Sequence, residues 1–124
     1  MEKKNINWSN FGYIETEERY VSWYRDGAWD EGTLTKDGMI TMSECACVLQ
    51  YAQTAFEGLK AYTTEDGSIV TFRSDLNAER LQSSCRGLMM PEVPKQKFID
   101  ALDRLVAANA AYVPPYGSGA SLYI

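Results

Sequence analysis

Apolar and polar positions change period several times along these 124 residues, and each change marks an element. Residues 1–18 are polar, aromatic-studded and aperiodic, which predicts an N-terminal arm with at most a short strand. From Arg19 the chain reads "RYVSWYRDGAWDEG", with Tyr20, Val21, Trp23 and Tyr24 giving strand composition ahead of Asp26-Gly27. Asp-Gly tolerates positive φ, so a hairpin or tight bend is expected there. "TLTKDGMITM" (33–42) repeats the arrangement around Asp37-Gly38. In "CACVLQYAQTAF" the period lengthens: Val48, Tyr51, Ala52, Ala55 and Phe56 recur at helical spacing, predicting a short helix closed by Gly58.

The stretch "GLKAYTTEDGSIVTFR" (58–73) is the clearest local unit, two β-rich runs flanking Glu65-Asp66-Gly67-Ser68. Alternation places Leu59, Ala61 and Thr63 on one face and Gly58, Lys60 and Tyr62 on the other. After Arg73 the period changes again. Ser74 or Asp75 can N-cap a helix whose stripe is Leu76, Ala78, Leu81, Cys85 and Leu88-Met89. Pro91 and Pro94 punctuate, and a second helix is expected in "KQKFIDALDRLVAANAAYV", with Phe98, Leu102, Leu105, Val106 and Ala110 on its apolar side. Pro114 to Gly119 reads as a loop, and "ASLYI" as the start of a strand. The expectation is that Ile124 lies inside a longer protein, because the last five residues read as the first half of a buried strand.

Composition narrows the function classes. Hydrophobic residues make up 45% and charged residues 23%, as in a folded globular domain. A net charge of −5 argues against nucleic acid as the main partner, since phosphate neutralisation needs a basic surface. No apolar run approaches the roughly 18 residues a membrane span requires. "MEKKNINW" lacks a signal peptide's apolar core, so the expected location is the cytoplasm. Asn7-Trp8-Ser9 matches a glycosylation sequon with no secretory context. Cys45-Ala-Cys47 is a conceivable metal pair, but there is no histidine and only one further cysteine, Cys85. Incidental thiols are the expectation, and no metal site is assigned.

Candidate chemistry begins with "FEGLKAY" (56–62), which sets Lys60 among apolar neighbours. From the residues alone Lys60 is a Schiff-base nucleophile, a phosphate ligand or a solvated strand residue. Several segments settle the family resemblance: "RYVSWYRDGAWDEG", "LQYAQTAFEGLKAY", "FRSDLNAERLQSSCRGLMMPEVP" and "AAYVPPYGSGASLYI". From about residue 11 onward the chain resembles the N-terminal part of branched-chain amino-acid aminotransferases, the fold-type IV transaminases that use pyridoxal phosphate. The resemblance implies an α+β domain, an antiparallel sheet with helices packed on it. Residues 1–18 would be its arm and 19–124 an incomplete small domain. The Schiff-base lysine would lie in a larger domain outside this chain, leaving no catalytic residue here and Lys60 a solvated or ion-paired strand residue.

Arg73 is the leading cofactor-binding candidate. A guanidinium where a strand gives way to a helix can clasp a phosphate with both arms, and the family's arginine at the matching Phe-Arg position does so. The competing reading is a surface arginine paired with Asp75. Tyr51, Phe56 and Tyr123 match positions that line the family's substrate pocket; taken alone, each reads as core. Gly58, also assigned to the substrate side, gives close backbone approach to a ligand or merely stops a helix. The chain departs from the family at Ser74, where proline is usual, at Thr63, where arginine is frequent, and at Gly87 inside a helix. The family's Tyr-x-Arg-Pro motif is represented only as far as Tyr123-Ile124.

The implied function is transfer of the amino group of leucine, isoleucine or valine to 2-oxoglutarate, by a homodimer handling amino acids and 2-oxo acids. This chain would supply the phosphate arginine and part of the pocket. The alternatives are a non-catalytic binding or dimerisation module, or another fold-type IV enzyme (a D-amino-acid transaminase or aminodeoxychorismate lyase).

Overall fold

Asp26 and Gly27 both adopt positive φ, 51° and 81°, and the hairpin expected around them forms. In the computed structural model, which describes residues 2–9 and 12–124, it joins β2 (Tyr24–Arg25) to β3 (Ala28–Trp29). It is nested inside a wider pairing of β1 (Arg19–Val21) with β4 (Thr33–Thr35), which places Tyr20 opposite Leu34. The Asp30 carboxylate closes the turn between the two pairings, accepting from Ser22 Oγ and from the backbone N–H of Trp23 and Gly32. The arm preceding β1 contains no strand among its described residues; residues 1, 10 and 11 lie outside them.

Asp37-Gly38 does not repeat the first hairpin. Thr35 Oγ1 accepts from the Asp37 N–H and Asp37 Oδ1 from the Met39 N–H, so the chain turns locally. Residues 36–46 then find no partner strand, because β1 is already paired with β4. The predicted helix is also shorter than its pattern. α1 spans only Cys47–Tyr51, and Ala52, at φ 50°, ends it six residues before Gly58. None of its residues is buried, so its apolar spacing has nothing to pack on.

The second unit follows the sequence closely. β5 (Lys60–Thr63) and β6 (Ile69–Thr71) form the expected hairpin, and β7 (Leu122–Tyr123) pairs along the other side of β5. The order is β6-β5-β7, and every pairing in the three small sheets is antiparallel. Alternation holds: Leu59 and Ala61 are buried, whereas Lys60 and Tyr62 are exposed.

α2 (Ser74–Gly87) packs against α3 (Lys95–Ala108), and α3 also packs against β1. Neither Ser74 nor Asp75 caps α2: the N-cap position is Arg73, without a side-chain cap bond. The stripe of α2 is narrower than read, with Ala78 and Cys85 buried but Leu76, Leu88 and Met89 exposed. α3 keeps its apolar side and passes through Asn109 into a 3₁₀ turn, Ala110–Tyr112. Buried Asn109 ties that end to the arm, its Oδ1 accepting from the Glu18 N–H and its Nδ2 donating to the Glu18 carbonyl. The buried apolar residues, Leu59, Ala61, Ala78, Cys85, Leu102, Ala110 and Val113, come from β5, its lead-in and the helical layer. The architecture is α+β, as expected.

Candidate functional site

The register of β5 decides what faces solvent together. Lys60 is opposite Tyr123 and Tyr62 opposite Val70, and directly opposed residues project to one face of a sheet. All four are exposed, so one face of the β6-β5-β7 sheet carries aromatic and apolar side chains that the described residues leave open to solvent. At its edge the Tyr123 ring lies across Gly58, so closely that a Cβ on Gly58 would collide with the ring and its hydroxyl. Only glycine permits that approach. Lys60 and Tyr123 also form part of one wall of an open groove of about 760 Å³ between the arm and the loop before β7.

β6 ends at Thr71, and two residues later Arg73 turns the chain into α2 at φ 49° and ψ 45°. A non-glycine residue in that region carries a steric cost of roughly 1–2 kcal/mol, offset here by its carbonyl starting the helix through the Leu76 N–H at 3.0 Å. The Arg73 side chain, 54% exposed, folds onto Asp75 with both arms, Nε at 2.9 Å and Nη2 at 2.7 Å. That fork holds the Asp75 carboxyl at about 2, well below the ordinary 3.8. A guanidinium at the positive end of a 14-residue helix fits a phosphate by charge and by donor geometry. The ligand would have to replace Asp75 on the fork.

The sequence-derived candidates are dispersed. Gly58 and Tyr123 touch. Tyr51 is 82% exposed, Phe56 74% and Tyr123 52%, which excludes the reading of all three as core. Arg73, Tyr51 and Phe56 do not line the groove beside Tyr123. Lys60 is exposed, and among the described residues no acid pairs with it.

Sequence reasoning passed over a three-residue cluster. Glu57, its side chain 6% exposed, receives Arg80 Nε at 2.5 Å, Arg80 Nη2 at 2.8 Å and Asn77 Nδ2 at 2.8 Å. Arg80 holds the Glu57 carboxyl below its usual range, outweighing the burial that would raise it. The available signal was Asn77-x-x-Arg80, two donors on one face of a predicted helix, downstream of an acid between aromatic and glycine.

No family model matches the chain. Individual proteins do. It is 46% identical over 123 residues to a branched-chain-amino-acid aminotransferase of Haemophilus influenzae, covering 98% of this chain and 36% of that protein. Identity to the protein of the same name in Helicobacter pylori is 42%, with the same coverage. A methionine aminotransferase of Arabidopsis thaliana is 39% identical over 97% of this chain and 34% of its own length. The chain thus spans about a third of the length of the curated relatives it matches. Over nearly its whole length the chain is similar in sequence to the N-terminal part of branched-chain-amino-acid aminotransferases.

Proposed function

We propose that the protein containing this sequence is a pyridoxal-phosphate-dependent transaminase, moving the amino group of leucine, isoleucine or valine to 2-oxoglutarate. The observation that carries the reading is the 46% identity across 123 residues to a protein named a branched-chain-amino-acid aminotransferase. A homodimer in the cytoplasm belongs to the same reading.

Arg73 would hold the cofactor's phosphate, its fork and the positive end of α2 both favouring a dianion. When bound, the cofactor acts as an electron sink for the amino acid's Cα. Tyr51, Phe56 and Tyr123 would supply apolar wall to the substrate side chain, with a phenolic tip at each tyrosine. Gly58 admits Tyr123 at close range. Lys60, exposed on β5, lacks the desolvation that a nucleophilic lysine needs and takes no part.

The test is cofactor titration of the full-length protein, followed by the absorbance of the bound cofactor. A forked contact to phosphate contributes about 1.5–3 kcal/mol, so Arg73→Ala should weaken retention roughly ten- to a hundredfold. Arg73→Lys, which keeps charge without the fork, should fall between. Equal affinity in all three would show that Arg73 only pairs with Asp75. Residues 1–124 alone, given pyridoxal phosphate, leucine and 2-oxoglutarate, should form glutamate no faster than free cofactor does. The relative named for methionine favours a second substrate reading, with methionine accepted as well; comparing rates on leucine and methionine decides it.

A further inference from the structure

Residues 52–58, the lead-in to β5, contain no helix or strand, yet they contain Phe56 and Gly58. Two anchors strap them along α2. Gln53 Nε2 donates to the Leu88 carbonyl at 2.7 Å, just past the end of α2, and Glu57 meets Asn77 and Arg80 near its middle. Asn77 Nδ2 also reaches the Gly58 carbonyl at 3.2 Å, so one amide fixes both the acid and the backbone beside it.

Burial alternates through this strap. Glu57 and Leu59 point inward, and Phe56 and Lys60 outward. Drawing Glu57 to α2 therefore turns Phe56 toward solvent and sets Gly58 under the Tyr123 ring. A nearly buried carboxylate held by three donors is costly to disturb, which makes this arrangement the rigid point of an otherwise irregular segment.

We propose that Glu57, clamped by Asn77 and Arg80, is a positioning residue that presents Phe56 and Gly58 to the amino-acid side chain and so sets selectivity among substrates. This rests on the transaminase reading above. Its consequence is that loosening the clamp should alter discrimination between side chains and leave cofactor retention untouched.

The experiment uses the full-length protein, with Glu57→Gln (same shape, charge removed) and Arg80→Lys (charge kept, fork lost). Amide hydrogen exchange at residues 55–58 is expected to speed up by about tenfold in Glu57→Gln. The ratio of KM for leucine to KM for valine should change by about fivefold, with kcat and cofactor affinity within about twofold of wild type. Arg80→Lys should move both readouts in the same direction by less. Unchanged exchange at 55–58 overturns the clamp. Faster exchange with an unchanged KM ratio overturns the selectivity role and leaves only a structural one. A wild type inactive on every amino acid overturns the transaminase reading and with it the substrate role, while exchange still decides whether the clamp fixes the segment. Should Glu57→Gln fail to fold, Arg80→Lys, at a side chain 67% exposed, is judged by the same outcomes.

Discussion

Arg73 and Asp75 are two residues apart and hold each other by both oxygens of the acid, an arrangement set by the helix start between them. The sequence put an external phosphate ahead of an internal acid as the arginine's partner, and in the folded chain the fork is on Asp75. The fork lowers the Asp75 carboxyl from 3.8 to about 2. Because the folded value lies below the unfolded one, the pair's contribution is complete above about pH 4 and disappears as pH falls through about 2. Carboxyl NMR titration of the chain should therefore place Asp75 near 2, and in Arg73→Ala near the ordinary 3.8. A wild-type value already at 3.8 would mean that the fork is not made in solution. Glu57 responds in the same sense, since its carboxyl is also held down, so its clamp too should weaken only on strong acidification.

Two glycines behave oppositely at the level of elements. Gly87 is the last residue of α2, its φ is not positive, and a Cβ there would meet no atom within 4 Å. Gly87→Ala should therefore stabilise the chain by about 0.5–1 kcal/mol, read from the midpoint of urea unfolding. Gly58 has no such room. Gly58→Ala drives a methyl into the Tyr123 ring and should destabilise by roughly 1–3 kcal/mol, a cost that Tyr123→Ala in the same chain should largely relieve. Additive effects in that double-mutant cycle would show that the two residues do not touch. The β5–β6 hairpin was legible because turn residues and alternation agree over a dozen positions. α1 was not, because its spacing is helical while its length is set by the left-handed turn at Ala52, which no periodicity announces.

The whole chain exposes 8758 Å², against about 6,700 Å² expected of a compact monomer of this mass. Exposed Met39, Ile40, Leu49, Tyr51, Phe56 and Phe72 contribute to that surface. Apolar area of this kind drives association, so residues 1–124 alone should self-associate as concentration rises, measured by light scattering. A monomer at high concentration would show that the uncovered faces are tolerated in water. The same surface explains the α2 stripe: Leu76 and Met89 have the apolar character of core residues, but among the described residues no element is placed to cover them.

The residues by themselves determined the hairpin at Asp26-Gly27, the β5–β6 unit, both long helices and, through motifs spread over nearly the whole length, the transaminase relationship. Those are statements about neighbours in the chain, where turn chemistry and periodicity act directly. Only the tertiary structure decided which contacts form between distant residues. It laid β7 along β5, bringing Tyr123 from the far end of the chain onto Gly58. It turned Glu57 inward to donors 20 and 23 positions away, and it left Tyr51 and Phe56 outside the core their chemistry suggests. The physical reason is the same in each case: burial and pairing depend on what the rest of the chain places alongside, and a local pattern reports only what a residue would prefer to meet.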